Sequence, residues 1–122
     1  MTDLAEALGD VLENYATNLR TAINADTETA AKELRKAISA EAPAKTGKQR
    51  KSWRIAREYL GGVDLKTVVH STDYRKAHLL ENGHLTRDGK TRTKPTHYVS
   101  RNADRIIDKY QRQVIETIKV VK

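Results

Sequence analysis

The N-terminal third of the chain carries an apolar stripe at helical spacing. Large apolar side chains recur every three or four positions, at Leu4, Leu8, Val11, Leu12, Tyr15, Leu19, Ile23, Leu34 and Ile38. This spacing places them on one face of a helix, which Thr2 or Asp3 can cap and which Pro43 must soon end. A helix of about 38 residues would be about 57 Å long. The length favours a bend near residues 24–27, where Asp26 can cap a new start.

In the middle of the chain the period changes from helical spacing to alternation. Trp53, Ile55 and Tyr59 fall on one side, and after Gly61 and Gly62 the alternation resumes over residues 63–69. Two alternating runs around a diglycine pair predict a β-hairpin. The preceding segment has no large apolar side chain, so it is expected to be a basic linker.

Two segments follow the hairpin. A short helix is predicted from Tyr74 to Asn82, with residues 71–73 available as caps and Gly83 at its end. Residues 84–96 are polar and basic and show neither helical nor strand spacing. Structureless connections of this length usually bind something or are disordered, so we expect a mobile loop there.

The last segment combines a short strand and an amphipathic helix. Residues 96–99 are compatible with a strand, and apolar residues at helical spacing run from Ala103 to Val121, with Ser100 or Asn102 as the cap. The order of elements predicts an α+β fold with a small antiparallel sheet covered by two helices. Residues 1–122 are expected to form one domain.

Composition indicates a thin core. The chain has no Phe, and its Leu, Ile and Val residues are about a fifth of the total, near the level at which disorder becomes common. Chains that bury so little often complete their stability through partner subunits. The absence of Cys excludes disulfides and thiolate zinc sites. The sequence shows neither a membrane-spanning apolar run nor an export leader, so no membrane partner is expected.

The net charge of +7 is unevenly distributed. Residues 1–43 carry eight acids and four bases, for −4, whereas residues 44–58 carry six bases and one acid, for +5. Residues 75–101 carry seven bases and two acids, for another +5. Blocks of this kind can face nucleic acid or an acidic protein surface, because charge reports attraction and not identity.

The sequence shows no enzyme signature. Four histidines, with His78, Asn82 and His84 close together, superficially suggest a His-Asn-His nuclease, but the spacing does not fit a ββα metal hairpin. Glu58 and Glu81 have no partner at a defined spacing for acid–base chemistry. We therefore predict no catalytic residue, no metal and no cofactor.

Nucleic-acid binding is the alternative function. The basic residues of both blocks can contact phosphates, and Trp53 can stack on a base. Because Trp53 lies on the apolar face of the hairpin, we expect it in the core instead. A small basic nucleic-acid-binding module or ribonuclease-type toxin stays open as the alternative.

Several short segments, in order, resemble one protein family. They are Pro-Ala-Lys-Thr-Gly-Lys at 43–48 with Ser52 five residues after Gly47, a strand ending near Val69, Tyr-Arg-Lys-Ala-His-Leu-Leu-Glu-Asn-Gly-His at 74–84, and Lys-Pro-Thr-His-Tyr-Val at 94–99 before a closing helix. Together they resemble the tail-completion, or head-tail joining, proteins of long-tailed bacteriophages.

The resemblance implies a structural virion protein rather than an enzyme. Family members of this kind would form a ring, expected to be hexameric, that caps the tail tube and docks on the connector or stopper protein of the head. DNA would pass through the ring without specific binding, and assembly would take place in the bacterial host cytoplasm.

Under this interpretation the partner contacts fall on two basic segments. Residues 46–54 form one surface and the loop at 84–96 forms the other, with Glu81 and Tyr74 at the base of the loop. The predicted contact residues are Thr46, Lys48, Arg50, Arg54, Tyr74, Glu81, Arg87, Lys90, Arg92 and Lys94.

Overall fold

The computed structural model describes residues 3–42, 47–60, 63–86 and 89–121. Its elements in chain order are the helices and strands α1 (Leu4–Glu41), α2 (Lys48–Lys51), β1 (Trp53–Leu60), β2 (Val63–Ser71), α3 (Tyr74–Asn82) and α4 (Tyr98–Val120). The α+β prediction is confirmed: a long N-terminal helix, a two-stranded antiparallel sheet, a short helix and a C-terminal helix follow one another.

Helix α1 is continuous over 38 residues. Asp3 is its N-cap, and its Oδ1 accepts hydrogen bonds from the N–H groups of Ala5 (3.0 Å) and Glu6 (3.3 Å). The predicted bend near residues 24–27 is wrong. Asp26 stays inside the helix, and its carboxylate accepts a hydrogen bond from the Thr117 hydroxyl of α4. Because α4 packs beside this stretch of α1 and bonds to Asp26, the polar residues at 24–27 are accommodated within a continuous helix.

Strands β1 and β2 form the predicted hairpin. Trp53 pairs with Ser71 at its open end, and the register shifts by one residue between Glu58 and Tyr59. The turn predicted at residues 61–62 lies outside the described residues. The hairpin lies on α1, since Arg35 Nε donates to the Trp53 carbonyl at 3.2 Å.

The segment predicted as a basic linker contains the one-turn helix α2. Gly47 precedes it in the left-handed region, at φ 75°. The buried side chains of this segment are polar. Gln49 and Ser52 are both buried, and the Ser52 hydroxyl donates to the Gln49 carbonyl at 2.7 Å. This helix was not predictable from the sequence, because the spacing of apolar residues carries no information about buried amides and hydroxyls.

The strand predicted at residues 96–99 is wrong. Residues 94–97 have no regular structure and α4 begins at Tyr98, so the predicted caps Ser100 and Asn102 lie inside the helix. His97 takes the N-cap position, at φ 50° and without a side-chain cap bond. Tyr98 is almost fully buried, which accounts for the early start, because the helix brings its ring into the core.

The core lies at one end of the molecule. It consists of Ile38, Ala42, Trp53, Ala77 and Tyr98. The rings of Trp53 and Tyr98 pack edge to face with centroids 6.3 Å apart, which confirms that Trp53 is a core residue. This end is where α1 finishes and α4 starts.

Helix α4 runs antiparallel along α1, which is its most extensive contact. The pairing is visible in a ladder of polar contacts: Arg101 with Glu41 (2.6 Å), Lys109 with Glu33 (2.9 Å) and Tyr110 with Thr27 (2.6 Å). No helix in the described part of the chain is both long and apolar enough to cross a membrane.

Candidate docking surface

Gly83 fixes the point at which the chain leaves α3. It is buried and its φ is 75°, a conformation that glycine adopts without strain. A Cβ on Gly83 would lie 2.5 Å from the Thr93 carbonyl oxygen and 3.3 Å from the Pro95 nitrogen. The returning chain therefore crosses directly over the end of α3, and only glycine leaves room for it.

Residues 84–86 and 89–93 are joined by a small antiparallel bridge. Leu85 pairs with Arg92, and the N–H of Thr93 donates to the His84 carbonyl at 2.7 Å. Thr86 and Thr91 are joined three times: the Thr91 carbonyl accepts from the Thr86 N–H at 2.8 Å and from the Thr86 hydroxyl at 3.0 Å, and the two hydroxyls lie 3.0 Å apart. Apolar spacing did not reveal this pairing, because threonine hydroxyls and backbone groups supply the contacts. The expected mobility of the loop stays a prediction.

The basic side chains of this loop point outward. Lys90, Arg92 and Lys94 are all exposed, and Arg92 also donates to the Gly83 carbonyl at 3.4 Å. Arg87, the fourth predicted contact, lies outside the described residues. Two of the four predicted loop cations, Lys90 and Arg92, thus lie within the bridged segment, and Lys94 follows it.

Glu81 connects the base of the loop to α4. Its Oε2 accepts from the N–H of Val99 at 2.8 Å and its Oε1 from that of Ser100 at 3.1 Å, so it caps the helix that begins at Tyr98. Its backbone carbonyl accepts from the N–H of His97. Partial burial raises the pKa of the Glu81 carboxyl, but the hydrogen bonds from Ser100 and Val99 outweigh burial, and the pKa lies below its ordinary value.

Tyr74 does not share this position. It begins α3, whereas the loop leaves the other end of that helix, about 13 Å away for nine residues. Tyr74 is 65% exposed, and its ring centroid lies 5.9 Å from the Arg75 guanidinium carbon. The expectation that Tyr74 helps to hold the base of the loop is therefore wrong.

The second predicted surface is built on α2. Lys48, Arg50 and Arg54 are exposed around the buried Gln49, whose amide nitrogen donates to the Tyr98 hydroxyl at 3.1 Å. Thr46 lies outside the described residues. We name the exposed bases Lys48, Arg50, Lys51 and Arg54 the α2 surface.

Both predicted surfaces lie at the same end of the molecule. Gln49 of the α2 segment and Glu81 at the base of the loop both bond to the first turn of α4. A shallow groove lined by Lys48, Lys51, Ser52, Thr72 and Asp73 separates α2 from the start of α3. In the described ranges no group of His, Asp and Glu is arranged to hold a metal ion. The arrangement offers a positively charged end suited to contact with an acidic surface.

The sequence did not indicate that half of the apolar stripe on α1 would stay uncovered. We name residues 4–15 the arm. Its apolar side chains are exposed, from 36% for Tyr15 to 80% for Leu4. The one available signal was length, since a helix of 38 residues is longer than the 23-residue helix α4 that packs along it and cannot be covered throughout by it.

Comparison with known proteins assigns the chain to a family. A family model described as "Bacteriophage HK97-gp10, putative tail-component" matches residues 6–83, more than half of the chain. The match runs from the arm through both strands to Gly83, and the basic loop and α4 follow it. No curated protein and no solved structure matches the chain. The bacteriophage family expected from the short segments is confirmed, and the chain belongs to the HK97-gp10-like family of phage tail components.

Proposed function

We propose that this chain completes the phage tail and joins it to the head connector as a ring of identical subunits. It would act as a structural virion protein without a catalytic step, assembled in the bacterial host cytoplasm. The observation that carries the proposal is the match of residues 6–83 to a family of phage tail components. The head-tail joint and the ring are our extension of that match.

The basic end of the molecule supports a docking role. We name Glu81, which bonds to α4, and Gly83, over which the chain returns, the clamp. The clamp lies at the base of the loop that carries the exposed Lys90, Arg92 and Lys94, and the α2 surface lies beside the same end of α4. Cations on a fixed base suit an acidic surface of the tail-tube protein or of the connector or stopper protein. Charge of this kind sets the encounter rate and register of docking more than its affinity.

The limited core supports an oligomer. Only seven hydrophobic residues are buried in the described structure, while many large apolar side chains remain exposed. Surfaces of this kind are stabilised when neighbouring copies cover them. Closed rings of identical subunits, here expected to be hexameric, are a common way to do so.

Electron microscopy of particles made without this protein tests the proposal. We expect filled heads and separate, finished tails, and addition of the purified chain should restore joining. A triple variant, Lys90→Ala, Arg92→Ala and Lys94→Ala, should reduce joining, whereas Arg112→Ala with Lys119→Ala on α4 should not. Joined, infectious particles in the complete absence of the chain would refute the proposal.

Binding to nucleic acid is the second candidate, and the exposed cations of the loop favour testing it. A mobility-shift titration with DNA and RNA at two salt concentrations discriminates the two functions. Tight binding with a steep salt dependence, lost in the same triple variant, would support the nucleic-acid module. The tail-joining proposal predicts no specific shift at either salt concentration.

A further inference from the structure

The arm extends beyond the elements that cover the rest of α1. Helix α4 approaches α1 as far as the contact of Thr117 with Asp26, and the hairpin reaches it where Arg57 donates to the Asn24 carbonyl at 3.3 Å. The arm lies on the far side of both contacts and is about 18 Å long. Its apolar face, formed by Leu4, Leu8, Val11, Leu12 and Tyr15, is left open by the described part of the chain.

The arm is also strongly acidic. Residues 3–15 contain four acids, Asp3, Glu6, Asp10 and Glu13, and no base, for a net charge of −4. An apolar stripe bordered by acids is complementary to a surface that is both apolar and basic. Docking on an acidic surface would be opposed by repulsion between the negative charges.

The opposite end of the molecule has those two properties. We name the exposed basic and large apolar side chains that the structure describes in α3 and the loop the α3–loop surface; it comprises Tyr74, Arg75, Lys76, Leu79, Leu85, Lys90, Arg92 and Lys94. Leu79 is 41% exposed and Leu85 61%. Residues 74–94 carry six bases and two acids, for a net charge of +4. One of the acids, Glu81, is already engaged in capping α4.

Geometry prevents the arm from reaching this surface in its own chain. Helix α1 is unbroken, and Tyr15 and Ile38 are separated by about 35 Å along it. The arm therefore points away from the end at which α3 and the loop are attached. Any complement to the arm with this chemistry has to come from another molecule.

We infer that the arm of one copy docks on the α3–loop surface of a neighbouring copy. The inference rests on the ring in the proposed function and names the two surfaces that join its subunits. Each copy presents an arm at one end and accepts an arm at the other. Such a head-to-tail contact repeats from subunit to subunit and closes into a ring when the rotation permits.

Two other arrangements fit the charges less well. Packing two arms together would place a net charge of −4 against another −4. The end of α4 exposes Ile115 and Ile118, but its charges are satisfied locally, Arg112 by Asp108 at 3.1 Å and Lys119 by Glu116 at 3.6 Å. By contrast, neither Lys76 nor Lys94 forms an ion pair within the described residues.

Charge reversal on the purified full chain tests the contact. The arm variant is Asp10→Lys with Glu13→Lys, and the surface variant is Lys76→Glu with Lys94→Glu. Sedimentation velocity at low salt should show oligomers for the unaltered chain and at least a tenfold weaker association for each variant alone. An equal mixture of the two variants should associate again, because each reversed arm then meets a reversed surface. The control, Asp104→Lys with Asp108→Lys on α4, changes the net charge as the arm variant does and should leave association unchanged.

Cross-linking identifies the surfaces directly, because the chain has no natural cysteine. Leu8→Cys and Leu79→Cys are made in separate preparations, mixed, and treated with a short bismaleimide. The inference predicts products that join position 8 of one copy to position 79 of another. Products joining position 8 only to position 8 would overturn it, as would a chain that stays monomeric at every concentration reached.

The particle assay separates this inference from the proposed function. If the cross-link between positions 8 and 79 fails while particles still need the chain to join heads and tails, the arm contact is wrong and the proposed function stands. If the cross-link forms but heads and tails join without the chain, the arm contact stands and the proposed function is wrong.

Discussion

The two ends of α1 carry the same apolar repeat in opposite surroundings. Ile38 is 1% exposed and packs with Trp53 and Tyr98, whereas Leu8 is 59% exposed and lies outside the core cluster. Both residues lie on one continuous helix of a single register. The contrast shows that an apolar stripe at helical spacing identifies a helix face suited to burial. Whether the same chain buries that face depends on where its other helices and strands pack.

The strongest test of the comparison is Ile38→Ala. Removing a buried side chain from the core loses transfer free energy and leaves a cavity, so the free energy of unfolding should fall by about 2–5 kcal/mol. Urea titration followed by far-ultraviolet circular dichroism measures the change. A loss below about 1 kcal/mol would show that this end of α1 is no better packed than the arm.

A second variant, Gly83→Ala, tests the clamp at the base of the loop. The methyl group would meet the Thr93 carbonyl at 2.5 Å from a backbone with φ 75°. We expect a loss of about 1–3 kcal/mol from backbone strain, measured by thermal unfolding.

Gly9→Ala in the arm is the control for the clamp, since a Cβ there meets nothing within 4 Å. Alanine is also the better helix former, so this variant should not lower the free energy of unfolding. Equal behaviour of the two variants would contradict the crossing of the chain over the end of α3.

The third test uses the pH dependence of Glu81. Because the folded state holds the pKa of this carboxyl below its ordinary value of about 4.3, the charged form stabilises the fold above that pH. The contribution should be lost as the pH falls from about 4.3 through the lower folded pKa. Glu81→Gln should cost about 1 kcal/mol at neutral pH and flatten the profile in that acidic window.

Urea titrations of both proteins between neutral and acidic pH measure the Glu81 effect. Parallel profiles for the unaltered chain and the Gln variant would show that the cap on α4 does not depend on the charge of Glu81.

The smallest effect on stability is expected for Leu8→Ala in the arm. The side chain is exposed and alanine is at least as good a helix former, so the free energy of unfolding should change by less than about 0.5 kcal/mol. Self-association, followed by sedimentation, should nevertheless weaken. If Leu8→Ala destabilises the monomer as much as Ile38→Ala does, the arm is not the uncovered element described here.

Most elements of the fold were predictable because their patterns are local. The stripe of α1, the alternation of the hairpin, and Gly83 after the short helix are each visible within a few residues. Helix α2 and the start of α4 were not predictable, since Gln49 and Tyr98 are fixed by each other across 49 positions of sequence.

The candidate site was predicted in part. The basic character of the loop and of residues 48–54 follows from composition, and the structure places both at one end of the molecule. The sequence could not distinguish Glu81, which bonds to α4, from Tyr74, which stands apart at the start of α3. The different positions of Glu81 and Tyr74 depend on the path of residues 93–98, which return over the C-terminal end of α3, next to Glu81.

By itself, the sequence determined the long N-terminal helix, the hairpin and the short helix α3, the asymmetry of charge and the thinness of the core, because these follow from spacing and composition along the chain. Tertiary structure alone decided which half of α1 is covered and which polar groups hold the base of the loop. The reason is physical: covering a face or bonding a buried amide needs groups from distant parts of the chain, and only folding brings those groups together.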